Sequence, residues 1–150
     1  MAEIFVDEGI DRILTVAFKN GTPDATLYLG LFTSQTNATV PARTATGGAA
    51  PAGWTEAAGV GYARQSIAAA SWGAYSTNGN GRKTTAGQVT FATVGAGLNW
   101  GTANGFFIST ASASAPGDVC IYFANFDAGI ARALVEGVTE KVTPSIQLDG

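Results

Sequence analysis

The segment Leu27-Tyr28-Leu29-Gly30-Leu31-Phe32-Thr33 puts Leu27, Leu29 and Leu31 on one side of an extended chain and Tyr28, Gly30 and Phe32 on the other. Side chains alternate across a strand, so a run that is apolar on both sides belongs in a sheet covered on both faces. Further on, Gly59-Val60-Gly61-Tyr62-Ala63-Arg64-Gln65-Ser66-Ile67 reads as two glycines releasing the chain from a loop into a second extended segment. In that segment Tyr62, Arg64 and Ser66 share one face and Ala63, Gln65 and Ile67 the other. Extended pieces then recur at short spacing, over residues 89–94, 106–110, 118–126, 130–135, 138–142 and 145–148. Residues 76–84, with Asn78-Gly79 and Asn80-Gly81, read as an exposed hairpin tip. About eight strands joined by turn-rich connections predict a mainly β chain, an antiparallel β-sandwich or jelly roll.

One helix precedes the strands. Residues 7–20 place Asp7 as N-cap, Glu8 and Asp11 near the positive end, Lys19 near the negative end and Gly21 as the stop. Ile10, Ile13, Leu14, Ala17 and Phe18 recur on one face, which either caps an open end of the domain or forms an arm that docks on another protein.

Residues 34–58 are rich in Thr, Ala, Gly and Pro, and Pro41, Gly47, Gly48, Pro51 and Gly53 interrupt any regular element. A loop of this length in a compact domain is usually functional or disordered, and here it is expected to embrace a neighbouring subunit. Trp54 is then either the anchor that packs the loop or an interface contact. On that reading, deleting residues 42–53 leaves a folded sandwich. Arg43, which with Glu56 is the charge content of the loop, joins Trp54, Tyr62 and Arg64 as expected interface residues. Arg64 either solvates its strand or pairs with an acid across a subunit boundary, a task suited to a planar bidentate donor. Trp72 and Trp100 border apolar strands and are expected in the core, where losing a fully buried ring costs about 3–5 kcal/mol.

A chain of 150 residues is one domain, 1–150, large enough to bury a core without disulfides or metal. Its residues are 46% hydrophobic and 13% charged, against roughly 25% charged in an average soluble domain. So few charges leave surface to be covered by other subunits. The net charge is −3 and the one adjacent basic pair is Arg82-Lys83, so there is no electrostatic footprint for nucleic acid. No stretch has the length and apolarity to span a bilayer, and residues 1–8 lack the features of a signal peptide, which predicts synthesis in the cytoplasm of the producing cell. Cys120, within Val119-Cys120-Ile121-Tyr122-Phe123, reads as a small buried hydrophobe or, failing that, an intersubunit disulfide.

The chain has no histidine, which removes imidazole bases, Ser-His-Asp and Cys-His sets and the commonest metal ligand together. A carboxylate pair for glycoside hydrolysis is still conceivable from Asp118, Asp127, Glu136 or Glu140, though strand ends are equally where solvated turn acids belong. Gly81-Arg82-Lys83-Thr84 has Arg82 where a phosphate loop needs glycine, and Gly59-Val60-Gly61 has Arg64 where the dinucleotide fingerprint needs its third glycine. Asn37-Ala38-Thr39 matches a glycosylation sequon in letters alone. The reading is therefore of a non-enzyme without cofactor or metal.

The ordered set of a helix over 7–20, Tyr28 to Thr33, Gly61-Tyr62-Ala63-Arg64-Gln65, Trp72, Val89-Thr90-Phe91 and Trp100-Gly101-Thr102 resembles a family of small virion structural proteins of tailed bacteriophages. The pattern covers most of the chain and departs at the C-terminus, where Glu136-Gly137-Val138-Thr139 and Pro144 replace the family's Gly-Asp turn. The resemblance implies a virion part located on the capsid surface. Small size, low charge and the lack of a shaft-like repeat favour a capsid decoration (cement) protein, a homotrimer that binds the major capsid protein and touches neither nucleic acid nor membrane. The competing expectation is a tail or fibre appendage whose loops recognise the host surface, with glycans held by exposed Trp and Tyr.

Overall fold

The computed structural model describes residues 2–35, 39–79, 81–126 and 130–148. Asn37 and Ala38 of the sequon, Asn80 of the hairpin tip and Asp127 lie outside the described residues. The elements are β1 (Glu3–Phe5), α1 (Asp7–Phe18), β2 (Thr26–Phe32), β3 (Gln65–Ala68), β4 (Ser76–Asn78), β5 (Gly81–Thr85), β6 (Val89–Thr90) and β7 (Asn99–Ala103). They continue as β8 (Gly105–Ser109), β9 (Cys120–Asn125), β10 (Arg132–Val135), β11 (Lys141–Val142) and β12 (Ser145–Leu148). The chain is mainly β, an antiparallel sandwich with one N-terminal helix, as its alternation patterns predict. There are more strands than expected because several are short: the segment 89–94 pairs regularly over Val89–Thr90 alone, and β1 and β7 carry too little alternation to be read in advance.

The main layer is a five-stranded antiparallel sheet in the order β1-β9-β8-β2-β3. Its registers set Leu29 opposite Ile108, Leu31 opposite Phe106, and Phe107 opposite Phe123. Strand alternation then sorts these residues onto two buried faces. Leu29, Leu31, Ile67, Phe106, Ile108, Tyr122 and Ala124 join the larger core, while Phe32, Phe107 and Phe123 form a second cluster with Val6, Ala45, Trp54 and Cys120. β2 is covered on both sides, as its double apolar pattern requires. Gly30 is the gap in that pattern: a Cβ there would lie 2.2 Å from Cζ of the Phe107 ring, so the ring occupies the space a side chain would take.

The second layer is one interrupted ladder. β5, β6 and β7 pair in turn with β12, β11 and β10, from Arg82 opposite Leu148 to Ala103 opposite Arg132. Backbone bonds from Phe91 to Glu140 and from Val94 to Val138 carry the pairing between strands. β4 adds to β5 through a hairpin that closes at Asn78 opposite Gly81, so the loop is residues 79 and 80 and not an Asn-Gly pair, with Gly79 as its first residue at φ 57, where glycine is favoured. Phe91, Val94, Trp100, Ala103, Leu134 and Val142 project from this layer into the larger core. Asn104 turns the chain from β7 into β8. Its side-chain amide donates to the carbonyls of Thr33 and Gln35 at 3.0 and 2.8 Å, pinning the end of β2 to that corner.

The long loop is built differently from the expectation. Val40, Ala45 and Trp54 pack on the outer face of the five-stranded sheet instead of reaching away from it, while Thr55, Glu56 and Ala57 pair with the end of β2 and Ala57 joins the larger core. Trp54 is 7% exposed and packs its ring on Phe107 and Phe123, with centroids 4.5 and 5.2 Å away. Trp54 Nε1 donates to the Thr46 carbonyl at 2.7 Å, and Thr46 bridges to Ala52, so the loop closes on itself over that ring. A sheet with an apolar outer face needs a cover, and among the described residues this loop supplies it.

The two expected core tryptophans differ. Trp100 is buried, with Nε1 donating to the Val60 carbonyl, whereas Trp72 is half-buried at the edge of the core. We expect Trp100→Ala to cost about 3–5 kcal/mol and Trp72→Ala less than half as much, since a ring already in water loses less on truncation. Equal losses in thermal melts of the two variants would contradict this placement.

Candidate functional site

Glu56 is the centre of the site that the sequence partly marked. The Gly59 to Ile67 segment is not extended from Gly61: Tyr62 N donates to the Gly59 carbonyl in a turn, Gly61 takes φ 83, and the strand begins at Gln65. Tyr62 and Arg64 therefore point inward from an irregular approach, while Ser66 is exposed and Ile67 is buried. Tyr62 and Arg64 thus share a side as expected, but Ser66, exposed opposite Tyr28 in the strand, does not join them.

Arg64 is neither solvent-facing nor free to pair with another subunit, because its side chain is 1% exposed and bonded within the chain. Its Nε and Nη2 grip the two oxygens of Glu56 at 2.8 and 2.9 Å. Nη1 donates to Asp118 Oδ2 at 2.8 Å, to Ser109 Oγ at 2.8 Å and to the Ala111 carbonyl at 3.0 Å. The guanidinium carbon lies 4.8 Å from the centroid of Phe107. Burial works against the charge on Arg64, but hydrogen bonds to Glu56 and Asp118 outweigh it and push the guanidinium pKa up. Arg64 thus ties the loop, β8 and the start of β9 together.

Tyr62 completes the group. Its hydroxyl accepts from Leu31 N at 2.9 Å and donates to Glu56 Oε1 at 3.1 Å, while its ring stacks on Phe91 and meets Trp100 edge-on. Burial first, and then the charge of Glu56, push the phenol pKa up. Tyr62 and Arg64 are brought together as expected, but as internal supports. Trp54 joins them through Phe107. Arg43 stands apart, exposed at the start of α1, where its Nη2 donates to Asp7 Oδ1 at 2.7 Å and its carbonyl accepts from Asp7 N at 2.8 Å.

That arrangement also corrects the helix ends. Val6 is the N-cap and supplies no side-chain bond, and Asp7 is the first helical residue, bonded to Arg43. Glu8 is the acid that anchors the start of the helix, accepting from Gly47 N and Cys120 N at 2.6 Å each. At the other end Asn20, at φ 57, takes the left-handed position one residue before the expected Gly21, whose N–H bonds back to Thr15. α1 sits against β9 at Gly9, where a Cβ would lie 2.5 Å from Ile121 Cα and oxygen.

The carboxylates weighed as turn acids or as a hydrolytic pair are occupied elsewhere. Asp118 is buried with Arg64, and Glu140 is buried with Arg132, which also lies over Phe126 at 3.9 Å. Glu136 is exposed and accepts from Gly97 N at 2.9 Å. Cys120 is fully buried, and burial followed by the charges of Asp118 and Glu8 pushes its thiol pKa up. Among the described residues no group of three or more His, Cys, Asp and Glu is placed to hold a metal, and no helix is long and apolar enough to cross a membrane.

The surface that the sequence left open lies at α1. Ile13, Leu14 and Phe18 are 42%, 46% and 81% exposed, so the amphipathic face is not spent on capping the domain. Beside it runs an apolar groove of about 330 Å³ floored by Phe5, Leu27, Ile121 and Ile146. Ile13 and Val16 wall it on the helix side, and Tyr75, Leu148 and Arg82 border it opposite. Five of the eight large apolar side chains exposed among the described residues belong to α1 or line this groove. Arg12 fixes one border, gripping Asp24 with Nε and Nη2 at 2.9 and 2.7 Å and the Thr22 carbonyl at 2.9 Å. Hydrogen bonding to Asp24, then its charge, push the Arg12 pKa up. Helical periodicity marked Leu14 and Phe18, but nothing local in the sequence brings Leu148 or Tyr75 to them. No protein-family model matches the chain, and no curated protein matches it in sequence.

Proposed function

We propose that this chain is a bacteriophage virion structural protein, a capsid decoration (cement) protein that sits on the capsid surface as a homotrimer and stabilises the shell by binding the major capsid protein. The motif order from Tyr28 to Thr102 supports the family reading. The observation that carries the assembly part of this reading, in which copies join one another on a shell, is the concentration of exposed apolar side chains on α1 and its groove. An apolar surface gathered in one place on a chain this poor in charge is a surface for partners. The remaining architecture is inward-looking: Trp54, Trp100, Tyr62 and Arg64 all serve the domain's own core. On this reading the protein acts by contact.

A cement protein grips through contacts repeated over many copies, each modest by itself. Quantitative mass spectrometry of purified particles tests this directly. Decoration requires a copy number comparable with that of the shell subunits, and loss of the protein should lower the temperature at which the particles release their contents. A few copies per particle would replace this reading with the tail or fibre appendage, for which the exposed Tyr75 beside the groove is the favouring feature.

A further inference from the structure

We propose that the groove beside α1 receives the α1 stripe of a second copy of this chain, with Phe18 as the inserted residue and Asp11 facing Arg82. This deepens the homo-oligomeric part of the reading above by naming the surface that joins the copies. Both halves of the contact are present on one molecule. Leu14 and Phe18 are one turn apart on the outward side of α1, and Asp11 precedes Leu14 by three residues, so the three form one continuous stripe. The stripe is apolar with a single carboxylate at its N-terminal end.

The groove offers the complement. Arg82 pairs with Leu148 across β5 and β12, and Thr84 with Ile146, so all four share the sheet face that forms the groove border. Arg82 is exposed, and neither it nor Asp11 has an ion-pair partner among the described residues. Arg12, Arg43, Arg64 and Arg132, by contrast, are each paired within the chain. An unpaired cation on an apolar groove suits an apolar segment that carries an acid, and the stripe is such a segment. Its volume, about 330 Å³, is ample for one aromatic ring. Stripe and groove adjoin on α1, where Ile13 and Val16 line the groove, so two copies can exchange them reciprocally across a twofold axis, or successive copies can pass them head to tail around a closed ring such as a trimer.

The test is sedimentation velocity on the purified full chain at micromolar concentration, without shells. The wild type should be a closed multimer, and Phe18→Glu should be monomeric yet still fold cooperatively, because within one chain the residue is 81% exposed. Asp11→Arg and Arg82→Glu should each weaken association by about tenfold or more, and the double variant should recover most of it, as expected for a paired charge. A monomeric wild type overturns the proposal, as does a multimer that Phe18→Glu leaves intact or a double variant no better than the singles. Because no shell is present, these outcomes are separate from particle copy number, which alone decides decoration.

Discussion

Replacing Arg64 with methionine is expected to destabilise the fold by about 3–5 kcal/mol, the range for removing one partner of a buried ion pair. For a domain of this size that lowers the melting temperature by roughly 6–20 °C. The cost comes from what is left behind. The Asp118 side chain is 0% exposed and its Oδ1 has no hydrogen-bond partner among the described residues, so without the guanidinium its charge has neither solvent nor a cation to answer it. Glu56, 16% exposed, is less strained by the loss. Lysine should fail as a substitute, since one ammonium cannot hold both oxygens of Glu56 and reach Asp118, Ser109 and Ala111 as well. Adding Asp118→Leu to Arg64→Met should return part of the stability, because an apolar replacement removes the stranded carboxylate. Wild-type melting of Arg64→Met alone would show that the network does not support the fold.

Trp54→Ala should cost a similar amount, about 3–5 kcal/mol, and its effect should be centred on the loop. The ring fills the space between the loop and the outer face of the sheet, against Phe107 and Phe123, and holds Thr46 by its Nε1 hydrogen. Hydrogen exchange should therefore quicken across residues 39–58 and along β8 before it quickens in the second layer. The same geometry reverses the outcome expected for deleting residues 42–53. That deletion removes Ala45 and Thr46 together with the Gly47 N–H that holds Glu8, so it uncovers Phe32, Phe107 and Phe123. We expect an unfolded or aggregating product in place of a trimmed sandwich. A deletion variant with cooperative melting near that of the wild type would return the loop to the status of a dispensable arm.

Features that depend on near neighbours in the chain were legible in the order of residues alone. Alternation in Leu27 to Phe32 and in Cys120 to Asn125 gave the strands of a sheet buried on both faces, the Asn and Gly residues of 78–81 gave the β4–β5 hairpin, and the 3.6-residue period of Ile10, Ile13, Leu14 and Phe18 gave one amphipathic helix. Each is a short-range property of backbone geometry and side-chain polarity. Tertiary structure decided which partner each polar group finds. Arg64 and Asp118 lie 54 residues apart, and a strand pattern records only that a charge is present, not that two carboxylates await it in the interior. It was likewise the ladder from β5 to β12 that brought Leu148 and Arg82 beside α1 and left Phe18 facing water, which no local period encodes. Burial is a property of the whole packed molecule, so the residues with the most suggestive chemistry turned inward, and the surface available to partners was set by what the core did not need.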